Sequence, residues 1–106
     1  MDLGYYVGCR LKEEMKHREL NSKYFANLIY ERLGFKSSIS AMDYIRSVRE
    51  GYFNIGPFTT KNKMLKRLSG ILAFFNITKN DEIILKIKRE YPEFKYNLNN
   101  NHSEEN

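Results

Sequence analysis

A chain of 106 residues has room for one hydrophobic core. With 42% apolar and 29% charged residues it has the make-up of a folded globule, and no apolar run approaches the roughly 18–20 residues of a membrane span. Net charge is +5, and all eighteen Lys and Arg precede residue 96 while Glu104 and Glu105 lie in the tail; a basic body suits a polyanionic partner, although the same charges also serve as a solubilising surface.

In chain order, MDLGYYVG lacks the basic start and long apolar middle of a secretion signal. Cys9, the single cysteine, excludes an intramolecular disulfide and a cysteine-based zinc site, so a reducing cytoplasm is expected. The first helix is predicted from about Leu3 or Tyr5 to Glu19, with Val7, Leu11 and Met15 recurring every four residues on its core side. Leu20-Asn21-Ser22 is a helix start, with Asn21 or Ser22 as the cap. The helix that follows, Lys23 to about Leu33, lines up Phe25, Ile29 and Leu33, and Gly34 ends it.

Phe35 to Ser38 turns into the stretch Ser37–Gly51, started by serine and stopped by glycine. On a helical wheel Ala41, Val48 and the downstream Tyr52 fall on the side of Ile45. Ser40, Asp43, Ser47 and Glu50 fall opposite, with Arg46 on the flank. One face is built to pack and the other to hydrogen-bond something outside. Helix, short polar turn, helix is the order of a helix-turn-helix unit.

Tyr52 to Thr60 contains Gly56-Pro57 and reads as a loop, with a short extended piece at Tyr52–Ile55. A strong helix is predicted from about Lys61 to Phe75, where Met64, Leu65, Leu68, Ile71, Leu72 and Phe75 form the densest apolar face. Gly70 within it points to close approach of a neighbouring helix. Thr78 is the expected start of the last helix, with Asp81 and Glu82 in its first turn, Ile83, Ile84, Ile87 and Tyr91 facing inward, and Pro92 ending it. The last residues, NLNNNHSEEN, have almost nothing to bury and are expected to be a disordered tail over 97–106. The fold class is all-α: a compact bundle of about five helices over residues 1–96.

This order resembles the Cro/C1-type (XRE-like) helix-turn-helix family. Val7-Gly8-Cys9-Arg10-Leu11-Lys12 followed by Leu20-Asn21 and Phe25-Ala26 is similar to the family's Gly-x-Arg-Leu-Lys first helix and Leu-Ser-x-x-x-Leu-Ala second helix. Ile45-Arg46-Ser47-Val48-Arg49-Glu50-Gly51 is similar to its Ile-Ser-x-Ile-Glu-x-Gly ending. Leu65 to Ile84 resembles its closing helix pair. The chain departs from the pattern in three ways. The stretch Ala26–Ile45 is several residues longer than usual. Ser22 stands where a phosphate-contacting glutamine is common. Arg49-Glu50 exchanges the charges of a Glu-x pair, and Met15 replaces the arginine that usually partners it.

The resemblance implies a lambda-repressor-like fold and a sequence-specific transcriptional regulator, repressor-like and of bacterial, phage or mobile-element origin. Its partner would be double-stranded DNA, bound as a homodimer on a palindromic site. Base contacts are expected from Ser38, Ser40, Asp43, Arg46 and Ser47. Arg46 is the chief candidate because a guanidinium can contact both acceptors of a guanine. Asp43 either accepts from cytosine, orients Arg46, or is a solvated surface acid. Phosphate contacts are expected from Asn21, Ser22, Lys23, Tyr24, Lys36, Lys61 and Lys63, each of which is otherwise an ordinary surface group. The stretch Ile83–Phe94 is the expected dimer seam.

With His17 and His102 the only histidines, no catalytic, metal-ligand or phosphate-loop spacing appears, so neither an enzyme nor a cofactor or metal is expected. The rival expectation is a helix-turn-helix-derived module that binds a regulatory protein instead of DNA, an antirepressor or antitoxin-like partner. Tyr5, Tyr6, Tyr52, Phe53, Phe58, Phe94 and Tyr96 would be its interface.

Overall fold

Every helix of the computed structural model, which describes residues 2–52 and 60–97, starts on a side chain that accepts from a first-turn amide. Asp2 accepts from Tyr5 before α1 (Leu3–His17), and Asn21 from Tyr24 before α2 (Ser22–Ile29). Ser37 accepts from Ser40 before α3 (Ser38–Arg49), Thr60 from Lys63 before α4 (Lys61–Phe74), and Asp81 from Ile83 before α5 (Glu82–Glu90). Each cap satisfies an amide that the helix itself leaves without a partner. Five helices and no strand make the described residues an all-α globule, as expected. None of these helices is long and apolar enough to cross a membrane.

Boundaries shift where tertiary packing competes with local signals. α2 ends at Ile29, four residues before the expected Leu33, and the chain continues as irregular turns. Leu33 N–H donates to the Ile29 carbonyl at 3.1 Å and Phe35 N–H to Tyr30 at 2.9 Å, with Gly34 at φ +85°. Leu33 is still buried. The expected start at Thr78 is corrected to Asp81. Asn76 reverses the chain at φ +58° and Ile77 is anchored in the core, so one more turn, closed by Asp81 N–H on the Thr78 carbonyl at 3.0 Å, precedes α5. Of the loop and extended piece read over Tyr52–Thr60, residues 53–59, with Phe53 and Phe58, lie outside the described residues, as does the tail from 98 onward.

The core gathers the predicted stripes. Phe25, Ile29, Ala41, Ile45, Leu68, Ile83, Ile84 and Ile87 are all fully buried. The Phe25 ring lies 5.0 Å from Phe74 and 5.1 Å from Phe75, centroid to centroid, in the tilted geometry that aromatic rings prefer. Tyr52 is a correction: placed on the Ile45 side of the wheel, it is 63% exposed, because Gly51 at φ +99° ends the helical register before it. Phe94 and Tyr96 are buried, and the Tyr96 hydroxyl donates to the Ile77 carbonyl, so they close over the core. In the stretch expected to be a dimer seam, the isoleucines and Phe94 belong to this core, and Leu85 is the large apolar side chain left exposed.

Two contacts decide how α1 holds its neighbours. Gly4 and Gly8, one turn apart, lie against the backbone at the end of α3. A β-carbon on Gly8 would sit 2.7 Å from the Arg49 carbonyl oxygen, and one on Gly4 would collide with that of Gly51. On the other side, Arg10 makes a two-pronged bond to Asp81, at 2.9 and 2.8 Å, and a third to Glu14 at 2.9 Å. Asp81 thus caps α5 and ties it to α1 at once. Glu14 also holds Arg18, whose guanidinium lies 4.8 Å over the Phe75 ring. At Gly70 the expected close approach is present, but the neighbour is the Leu33 side chain and not a helix.

The Arg10 guanidinium, with help from the Ile83 amide, holds the Asp81 carboxyl below its ordinary range. Burial pushes Glu14 the other way, yet its bonds to Arg10 and Arg18 outweigh this and its pKa is also lowered. Carboxylates with depressed folded pKa values contribute stability that is complete above their unfolded pKa and is lost as pH falls through the folded one. Urea unfolding followed by circular dichroism should therefore show stability little affected by these groups above about pH 5 and falling below about pH 4. Asp81→Asn, which keeps a capping oxygen, should flatten that fall. An unchanged acid limb in the variant would mean that this pair does not govern it.

Candidate nucleic-acid interface

α3 is gripped along one side, where Ala41, Tyr44, Ile45 and Val48 are buried. The opposite side is therefore offered outward: Ile39, Ser40, Asp43, Arg46 and Glu50 are exposed, and Ser38 and Ser47 are half-buried. Ser40 is partly engaged, since its amide donates to the Ser37 hydroxyl at 3.2 Å and its own oxygen accepts from that hydroxyl at 3.3 Å. Asp43 and Arg46 lie three residues apart on one face, and neither takes part in an ion pair among the described residues.

The start of α2 is brought to the end of α3. Arg49, in the last turn of α3, crosses 27 positions of sequence to donate from Nη1 to the Ser22 hydroxyl at 2.8 Å. Ser22 is buried at that point, with its oxygen engaged by Arg49. Asn21 is exposed, and its side-chain oxygen accepts from the Tyr24 amide at 2.7 Å, which leaves its amide hydrogens pointing to no capping role. Lys23 and Tyr24 are exposed beside it. Arg49 has no carboxylate partner among the described residues, and its Nε is buried without a hydrogen bond. A guanidinium beside the positive end of a helix dipole, uncompensated by an acid, makes a local field that favours an anion.

Met15 is packed in the core and offers α3 no charged partner, and Arg49 instead ties α3 to α2 through Ser22. Arg49 was not among the expected contact residues. The exchange of charges at positions 49 and 50 was its only trace in the sequence.

The longer connection between α2 and α3 is braced from α4. The Arg67 guanidinium lies 3.9 Å over the Phe35 ring and 5.8 Å from that of Tyr44, and its Nε donates to the Leu33 carbonyl at 3.4 Å. Tyr44 is buried with its hydroxyl unpaired, and burial pushes its pKa well up, so the ring stays neutral. Lys36, exposed, immediately precedes the α3 cap. Lys61 and Lys63 are exposed at the start of α4, but the Lys61 ammonium is held 2.6 Å from Glu93 in the C-terminal segment. The described site thus unites the α2 start, Lys36 and α3, and leaves Lys61 paired elsewhere.

Two surface clefts, about 320 Å³ beside Tyr6 and Arg89 and about 560 Å³ along α4 beside Arg32 and Lys66, involve no residue of α3. The outward side of α3 is an open helix surface. No family model matches the chain, and comparison with curated proteins and with solved structures finds no match either.

Proposed function

We propose that the chain is a sequence-specific DNA-binding regulator of the helix-turn-helix kind, acting in the cytoplasm by occupying an operator. The observation that carries this reading is the pairing of an outward polar side of α3, centred on Arg46, with an uncompensated Arg49 guanidinium at the start of α2. α3 enters the major groove, where Arg46 takes both acceptors of a guanine while Ser38, Ser40 and Ser47 bond to neighbouring edges. Arg49, the Asn21 amide, Lys23, Tyr24 and Lys36 hold phosphates on either side. A single helix reads few bases, so two copies on a palindromic site are part of the proposal.

Fluorescence anisotropy with random duplex DNA across a salt series tests it. Binding at about 50 mM salt that weakens steeply as salt rises is expected. On an operator selected from a random pool, Arg46→Ala should bind about 5- to 150-fold more weakly, the equivalent of losing one two-pronged base contact. Its non-specific binding should change far less. No retention of any duplex at low salt would overturn the proposal.

A second reading rests on a different surface. Gly51 packs against Gly4, and the residues that follow each of them, Tyr52 and Tyr5, are 63% and 58% exposed. Such a pair suits a protein partner that regulates or replaces DNA binding. Tyr5→Ser/Tyr52→Ser would leave DNA affinity intact and abolish that partner's binding.

A further inference from the structure

Ile39 is the most exposed of the large apolar side chains among the described residues, at 68%. It stands in the first turn of α3, directly after Ser38, and nothing in the fold calls for it. It belongs neither to the core nor to the half-buried residues packed against it. It is not a staple for the helix start either, since that contact joins the residue before the cap to the fourth helical position, here Lys36 and Ala41. A β-branched residue in an exposed helix turn is, if anything, slightly unfavourable to the helix.

Its place on the helix supplies the reason. Ile39, Asp43, Arg46 and Glu50 follow one another at helical spacing and form one outward stripe of which Ile39 is the sole apolar member. The major groove offers one apolar feature, the C5 methyl of thymine. We infer that Ile39 reads a thymine methyl, and that this contact sets the second specificity position of α3 beside the guanine taken by Arg46. The inference rests on the DNA-binding reading above and adds to it a base identity. Seven residues of helix separate the two side chains by about 10.5 Å, so the thymine should lie about three base steps from that guanine, at about 3.4 Å per step.

Replacing thymine by deoxyuridine removes that methyl and nothing else. Operators would be selected from a random duplex pool with the full chain, then remade with one thymine at a time replaced. At one position the wild type should lose about fourfold in affinity, the value of one buried methyl. Ile39→Ala should bind the thymine operator with a similar deficit and be indifferent to the replacement, while its urea midpoint stays at or slightly above that of the wild type. Selected operators whose every deoxyuridine form affects wild type and variant alike would overturn the inference and leave the DNA-binding reading standing. Loss of self-association in Ile39→Ala without DNA, seen by sedimentation, would overturn it in favour of a contact between copies. Failure to select any duplex at low salt would remove both readings together.

Discussion

Phe25→Ala is expected to lower the unfolding free energy by about 3–5 kcal/mol. The ring is fully buried and packs against both Phe74 and Phe75, which also touch each other, so its removal strips contacts from α2 and from the end of α4 together. Both neighbours are engaged elsewhere: the Arg18 guanidinium lies 4.8 Å over the Phe75 ring, and Phe74 and Phe75 are 5.2 Å apart edge to face. A domain of this size has about 5–15 kcal/mol of stability, so the variant should lose a large fraction of it. Urea denaturation of wild type and variant, with Phe25→Leu as the conservative companion, measures the effect. A loss below about 1 kcal/mol for alanine would mean that this aromatic cluster is not the centre of the core.

The second large effect is a sign reversal. Alanine is normally about 1 kcal/mol better than glycine inside a helix, and Gly8 is in the middle of α1. Yet Gly8→Ala should destabilise by about 2 kcal/mol or more. The added carbon would meet the Arg49 and Val48 carbonyl oxygens at 2.7 and 2.9 Å, and backbone atoms in a packed helix end cannot step aside singly. α3 would have to retreat from α1, and the Arg49–Ser22 bond at that same end would be disturbed with it. Gly70→Ala is the internal control. Its added carbon meets the Leu33 Cδ2 at 2.8 Å, the far end of a flexible side chain that can rotate away. That variant should be neutral or mildly stabilised. Gly8→Ala at wild-type stability would show that α1 and α3 have room to part.

The comparison of these two glycines shows how far the sequence can be read. Both stand inside helices whose apolar spacing is plain. Gly70 was legible as a site of close approach because a glycine inside so strong a helix costs about 1 kcal/mol relative to alanine. Gly8 appeared only as a letter of a degenerate motif, although Gly4 and Gly8 at a four-residue interval carry the signal of a backbone-to-backbone seam. The interface residues divide in the same way. The outward position of Ser40, Asp43 and Arg46 follows from the periodicity of Ala41, Ile45 and Val48 alone, since burying one side of a helix exposes the other. Arg49 could not be assigned by that rule. It lies on the flank of the wheel, and its direction depends on where α2 begins relative to α3.

What the sequence determined by itself was the set of local structures: five helices, a cap at Asn21 or Ser22, a serine cap before α3, the stop at Gly51, and the stripes that meet in the core. These are short-range effects, settled by one residue's conformational preference or by spacing within two turns. Only the tertiary structure decided that Arg10 joins Asp81 across 71 positions, that Arg49 bonds to Ser22 across 27, that Phe94 and Tyr96 are core residues and Tyr52 is not, and that α5 starts at Asp81. Each of these depends on where whole helices come to rest, and that is set by the joint packing of many side chains and by two glycines that let one backbone lie against another.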